Sequence, residues 1–285
     1  MKSRVLPWVL AFLCACTGVL AVAQAPAIWT EPFPPHTIAG NLHYVGSRDL
    51  ASYLITTSEG HILINSSLEE SVPLIRASVE KLGFKFPDVK VLLISHAHAD
   101  HCAGSAEIKK LTGANYMVME GDVPAVESGG GPKKLADYTQ FPPAKVDRVL
   151  HDGDEVKLGD AVLVAHLTPG HTRGCTTWTM RVREGERLLD AVIIGSPNVN
   201  PGYVLVNNKT YPDIATDYEK CFRVLHSLPV DLFLGAHGSY YDMERKHALL
   251  PTAATNPFID PDGYHRYATD REQAFRAEWE KQRTK

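Results

Sequence analysis

Three things are scarce in this chain: charge of one sign, cysteine, and low-complexity sequence. There are 29 Lys plus Arg against 33 Asp plus Glu, a net charge of −4. No basic surplus is available to neutralise a phosphate backbone, which sets nucleic acid aside as a partner. The 21 glycines and 19 prolines form no tract or period, so a collagen-like fibre is excluded. With 44% hydrophobic and 22% charged residues the chain is no disordered polyelectrolyte either. Cysteines number five, and Cys14 and Cys16 fall in the first apolar run, leaving Cys102, Cys175 and Cys221. An odd number cannot pair fully within one chain, and a core of this size needs no staple. Buried free thiols are therefore expected. After residue 22 no further long apolar run occurs, so nothing in the remainder predicts a membrane span.

The first residues read as a targeting segment. Lys2 and Arg4 precede an uncharged apolar run from Val5 to Val22, and small residues follow at Ala21, Ala23 and Ala25. This is the pattern of a secretory signal peptide over residues 1–23, with cleavage after 25 as a second register. A retained membrane anchor is one alternative. A lipoprotein attached through Cys16 is another, disfavoured because Cys14 stands where a small residue is usual. Removing Lys2 and Arg4 takes the net charge from −4 to −6. The expectation is a periplasmic protein with no membrane partner after cleavage. No shift in composition marks a boundary beyond that point, so residues 24–285 are expected to form one domain.

Along that domain, four prolines between residues 26 and 38 suggest an extended arm. Short β-branched or aromatic runs at Asn41 to Val45, Ala51 to Thr57 and His61 to Asn65 predict strands, the last two joined by a turn at Glu59-Gly60. Apolar residues 72, 74, 75, 79 and 82 predict a helix over 71–82, ended by Gly83. Val89 to Ile94 is a continuous apolar run, as expected of a strand buried on both faces. A helix over 103–111 and a strand over 115–119 follow. Residues 122–147 contain Ser128-Gly129-Gly130-Gly131-Pro132 and read as a long binding loop. Strands are expected at 161–167, 175–182, 191–194 and 232–234. Helices are expected from Pro212-Asp213 to about 228 and over 270–281.

Histidine is abundant, at 13, and unevenly placed. Ser95-His96-Ala97-His98-Ala99-Asp100-His101 caps the buried strand and offers four ligands within six residues. A lone histidine is usually a packed or surface imidazole. A His-x-His-x-Asp-His run is not, because neutral imidazole and carboxylate are the donors that zinc takes at about 2.0–2.2 Å. His171, in Pro169-Gly170-His171-Thr172, and His237, in Ala236-His237-Gly238, also follow strands. Strands 89–94 and 232–234 are each followed within three residues by histidine, which suggests two related halves facing one site.

These residues resemble the metallo-β-lactamase-fold superfamily through nearly all of the mature chain. The resemblance implies an α/β fold, a four-layer αβ/βα sandwich with the active site at the edge of the two sheets. It implies two Zn²⁺ per chain, one on His96, His98 and His171 and the other on Asp100, His101 and His237. The remaining histidines match no ligand position and are expected to be structural. Thioesterases, lactonases and phosphodiesterases of this superfamily carry a metal-bridging Asp after a strand between the third and last histidines. Here that strand ends in Gly195-Ser196, which resembles the third subclass of class B β-lactamases. Asn198 and Asn200-Pro201-Gly202-Tyr203 are similar to that subclass's substrate-binding segment, and Pro142 to Asp147 and His171 to Trp178 are similar as well. Some members pair a cysteine at position 175 with one just before the serine. Gly195 stands there, so that disulfide is not expected.

The resemblance implies hydrolysis of the lactam amide of penicillins, cephalosporins or carbapenems by a zinc-bound hydroxide that Asp100 orients. Tyr203 is expected to donate to the oxyanion, with Ser196, Asn198, Asn200 and Tyr203 as substrate-binding residues. The expected protein is a monomer acting on β-lactam antibiotics. A lactonase or thioesterase of the same fold and a non-catalytic exported zinc-binding protein are the alternatives.

Overall fold

The computed structural model describes residues 26–130 and 140–284. The expected leader, and Gly131-Pro132 of the glycine-rich run, lie outside them. In chain order the first half contains β1 (His36–Ala39), β2 (Leu42–Tyr44), β3 (Tyr53–Thr57), β4 (Gly60–Ile64), α1 (Val72–Lys81), β5 (Val89–Leu93), α2 (Ala99–Cys102), α3 (Ser105–Thr112), β6 (Asn115–Met119), α4 (Val123–Ser128) and β7 (Arg148–Leu150). The second half contains β8 (Glu155–Leu158), β9 (Ala161–Leu167), β10 (Thr176–Glu184), β11 (Arg187–Ile194), α5 (Ile214–Ser227), β12 (Leu232–Gly235), α6 (Met243–Leu249) and α7 (Pro261–Arg283).

The strands form two sheets, ordered β1 to β7 and β12-β11-β10-β9-β8. In the first sheet β1 to β4 run antiparallel, and β4 to β7 pair in parallel. Alternation along each strand explains the layering, since successive side chains point to opposite faces. Tyr53 and Ile55 of β3, Ile62 and Ile64 of β4, and Met117 and Met119 of β6 join the core shared with Trp178, Met180 and Ile193 of the second sheet. Leu54, Leu63, Tyr116 and Val118, on the opposite face, pack with Val72, Ile75 and Val79 of α1 and Ile108 of α3. Tyr218 and Phe222 of α5 stack with Phe275 of α7 beside β12. The result is the expected four-layer αβ/βα sandwich.

Several local expectations need correcting. The stretch expected to be an extended arm contains a 3-10 turn at Ala27–Trp29 and the edge strand β1. The helix expected over 103–111 is α3, but a separate single-turn helix, α2, precedes it, so Asp100 and His101 sit on a helical turn. The two are divided at Gly104, where a Cβ would come within 2.6 Å of the Ser66 carbonyl. The 122–147 connection opens with a helix, α4, stopped by Gly129 at φ 75. The terminal helix begins at Pro261 and not at 270, because the Asp260 side chain accepts from Gly263 N and proline suits the first turn. Strands β7 and β8 carry little apolar signal and went unpredicted. Cys102, Cys175 and Cys221 are buried free thiols, as expected.

Candidate metal centre

All the chemistry-bearing loops leave the carboxyl ends of strands. His96 to His101 follow β5, His171 follows β9, residues 195–203 follow β11, and His237 follows β12. The loops are held together before any ligand is considered. Thr176 N, at the start of β10, donates to Ser95 O at 2.7 Å, and Trp178 Nε1 donates to Ile94 O at 3.1 Å. Asn65 follows β4 in the left-handed region, φ 66, which asparagine tolerates. From there its Oδ1 accepts from Ser95 N at 2.8 Å and Ser95 Oγ at 3.0 Å. Gly170 has φ +123 and lies against the Tyr218 ring, where a Cβ would come within 2.6 Å, so His171 can turn inward.

His96, His98, His101 and His171 are buried, with exposures of 1 to 7%. The donor atoms of His96, His98 and His171 lie within 4.8 Å of one another, and so do those of His96, Asp100 and His101. His98 Nδ1 and His171 Nε2 are 3.1 Å apart. Asp100 Oδ2 is 3.1 Å from His101 Nε2 and 3.4 Å from His237 Nε2. Two ligands on one tetrahedral zinc are separated by about 3.3 Å, given bonds of about 2.0–2.1 Å. The donor set therefore fits a cation of that kind. Among the described residues Nδ1 of buried His101 has no hydrogen-bond partner and Nε2 has only the Asp100 carboxylate beside it, so the ring is under-satisfied by protein groups alone.

Electrostatics agree with ligation. Burial, aided by the neighbouring imidazoles, pushes His96 and His98 well below the usual histidine range. Burial also lowers His171, to about 4. These rings are neutral and ready to donate a lone pair. Burial raises Asp100, but His101 and His237 outweigh it and hold the carboxyl well below its ordinary value. Burial lowers His237, yet Asp100 and Asp49, one at each ring nitrogen, outweigh that and lift it to about 9. A cation beside Asp100 would displace the Nε2 proton.

The six expected ligands thus converge. The other expected site residues line the same region with less freedom. Asn198 O accepts from His171 Nδ1 at 2.7 Å, which fixes the proton on Nδ1 and turns Nε2 inward. Asn198 Nδ2 donates to Tyr240 OH at 2.8 Å, and Ser196 Oγ lies 3.3 Å from the same hydroxyl. Tyr203 OH donates to the His171 carbonyl at 2.9 Å. Asn200 O closes a turn by accepting from Tyr203 N at 3.1 Å.

Five further residues escaped the sequence reading. Asp122, in the 3-10 turn between β6 and α4, accepts from Ala97 N, Thr172 Oγ1 and Gly174 N at 2.8, 2.8 and 2.9 Å. It ties the His96–His98 loop to the His171 turn. Burial raises its carboxyl to about 6. Tyr240 joins Ser196 to Asn198 and places its ring 5.1 Å from that of His237. Trp29 brings the amino-terminal segment to 5.9 Å from the His237 ring. Gln282 accepts from Leu205 N at 2.7 Å and donates to Tyr203 O at 2.8 Å, clamping the 198–205 segment to α7. Asp49 bonds His237. None of these has a local motif.

Residues 48–184 match the model of the metallo-β-lactamase superfamily. The native FEZ-1 metallo-β-lactamase from Legionella gormanii is 54% identical with a TM-score of 0.87, covering 90% of this chain and 99% of that one. The chain belongs to the metallo-β-lactamase superfamily. Within it, the class B3 di-zinc metallo-β-lactamase LRA-12 from an Alaskan soil metagenome is 36% identical with a TM-score of 0.84, covering 89% of this chain and 97% of that one. A curated hydroxyacylglutathione hydrolase of Rhodopseudomonas palustris (strain BisB5) is 32% identical over 124 residues, 44% of this chain. The chain spans only 40% of the length of that relative. As a superfamily member of the B3 kind, this chain places its six expected ligand residues at one edge of the two sheets and a serine, not a carboxylate, after β11.

Proposed function

We propose that this chain is an exported zinc-dependent β-lactamase that hydrolyses the lactam amide of penicillins, cephalosporins or carbapenems. Ser196 carries the reading. It stands where the thioesterase branch places a metal-bridging carboxylate, while His96, His98 and His171 offer three donors where a tetrahedral zinc takes four. The likeness to FEZ-1 and LRA-12 over nearly their whole length supports it, and LRA-12 is described as di-zinc. One zinc would be held by His96, His98 and His171 and another by Asp100, His101 and His237. When bound, they lower the pKa of water to about 7 and polarise a carbonyl, so a hydroxide nucleophile exists at neutral pH.

The chain's own residues do the rest. Ionised Asp100 is the acceptor that orients the attacking water. Asn198 O keeps the His171 proton on Nδ1. Ser196 and Asn200 supply polar groups for the substrate carboxylate, and the Asn198 amide holds Tyr240 in place beside them. Tyr203 acts on the oxyanion by turning its hydroxyl from the His171 carbonyl toward the substrate. The reading includes a leader over residues 1–23, or to 25, a periplasmic destination, and one mature monomeric domain over 24–285. Among the described residues no helix is long and apolar enough to cross a membrane.

The curated match keeps a second reading in view, thioester hydrolysis. Purified protein should be assayed in parallel on a carbapenem and on a hydroxyacylglutathione thioester, each with and without chelator. Chelator-sensitive lactam hydrolysis is expected. Turnover of the thioester alone would overturn the proposal.

A further inference from the structure

Asp49 sits in a tight turn after β2, far from every motif, yet it is buried beside the metal centre, 8% exposed. The turn is rigid. Ser47 N donates to Leu50 O at 3.0 Å, Leu50 N to Ser47 Oγ at 3.1 Å, and the buried Tyr44 hydroxyl to Ser47 O at 2.5 Å. The segment is also stitched to the loop that carries His237. Ala51 N donates to Ala236 O at 3.0 Å, and Gly238 N donates to Asp49 O at 2.7 Å. Within that frame Asp49 Oδ2 accepts from His237 Nδ1 at 2.9 Å, and Oδ1 accepts from Ser239 N at 2.9 Å. Its neighbour Arg48 does not neutralise it, because that guanidinium is paired with Glu31 and Glu244 at 2.9 and 2.7 Å.

We infer that Asp49 is a positioning residue for the second metal set: it fixes the His237 proton on Nδ1 and aims Nε2 at the position shared with Asp100. A carboxylate can only accept, so the Nδ1 contact dictates the tautomer. Nε2 lies 3.4 Å from Asp100 Oδ2 and becomes the lone-pair donor once a cation displaces its proton. The two bonds to Asp49 come from the imidazole and from the backbone two residues on, so ring orientation and loop position are set together. Both oxygens of the Asp49 carboxylate accept from N–H donors, an arrangement suited to its negative charge. That charge raises the basicity of His237 as a ligand, as carboxylate–histidine–metal relays do. In the first set His171 leans instead on the neutral carbonyl of Asn198.

The inference rests on the reading that Asp100, His101 and His237 hold a zinc, and its test is zinc binding, which needs no substrate. Zinc should be titrated into metal-stripped wild type, Asp49→Ala, Asp49→Asn and His237→Ala against a competing chromogenic chelator. Circular dichroism of the stripped proteins checks folding. Asp49→Ala should weaken one of two sites by about 10–100-fold, the range found when such relay partners are removed, and leave the other unchanged. Asp49→Asn keeps the volume but has one oxygen for two donors, so it should weaken the same site. Because Asn also preserves packing, it decides the matter if the alanine variant fails to fold. NMR of zinc-loaded wild type should show a protonated His237 Nδ1, and this signal should be lost in the variants. Wild-type affinity at both sites in Asp49→Asn, or equal weakening of both, overturns the role of Asp49. A wild type that takes up a single zinc, with His237→Ala binding it equally well, overturns the ligand assignment beneath it instead.

Discussion

Replacing Ser196 by alanine and by aspartate separates a β-lactamase centre from its thioesterase relatives. The serine is 1% exposed, and its hydroxyl lies 3.3 Å from Tyr240 OH. Tyr240 keeps the bond from Asn198 Nδ2 at 2.8 Å when the serine hydroxyl is removed. Ser196→Ala therefore loses one long neutral hydrogen bond, about 0.5–1.5 kcal/mol, or roughly a two- to tenfold fall in kcat/KM. All six ligands survive, so zinc content should not change. Ser196→Asp places a carboxylate at the end of β11, where it competes with the substrate carboxylate for the second set. Lactam hydrolysis should fall much further than in the alanine variant, with zinc retention equal or improved. Steady-state kinetics on a carbapenem and metal analysis of both variants give the readout. Loss of zinc in Ser196→Ala would make Ser196 a ligand and refute the division into two three-residue sets.

Asp122 gives a pH test. Its folded value of about 6 lies above the ordinary 3.8, so the folded state binds its proton more tightly. The stability it contributes is fully present below about pH 4 and is lost as pH rises through 6, about 3 kcal/mol in all. His96, His98 and His171, held below the usual histidine range, titrate with the opposite sign in this window, so the readout is a difference: in urea unfolding of the metal-stripped proteins, the stability of wild type minus that of Asp122→Asn should fall as pH rises from 4 to 6; a difference that does not change with pH would remove Asp122 as its source. Gln282→Ala frees the Tyr203 segment from α7 and should raise KM more than it lowers kcat, with zinc content constant. A fall in zinc would show that the clamp acts on the metal loops instead. Because water attacks directly, no acyl-enzyme should form, and clavulanate-type inhibitors should fail; a stable serine adduct in mass spectra would contradict the mechanism.

Much of the centre was legible because its signals are local. The His-x-His-x-Asp-His run, the turn at His171 and the histidine after β12 each lie within three residues of an apolar strand, and strand ends are where such folds present side chains. Short β-branched or aromatic runs likewise exposed β3 and β4, whose two faces meet different layers. Short edge strands such as β7 bury too little to leave a pattern, and α2, at four residues, is too short for a helical period to show. Gly195-Ser196 declared the chemical branch, since a hydroxyl cannot replace a bridging carboxylate. Everything that orients the ligands was decided only by tertiary structure. Asp49 meets His237 across 188 residues, Asp122 meets Thr172 across 50, and Gln282 meets Tyr203 across 79. A hydrogen bond depends on distance in space, and no periodicity or spacing along the chain encodes which carboxylate will arrive behind which imidazole.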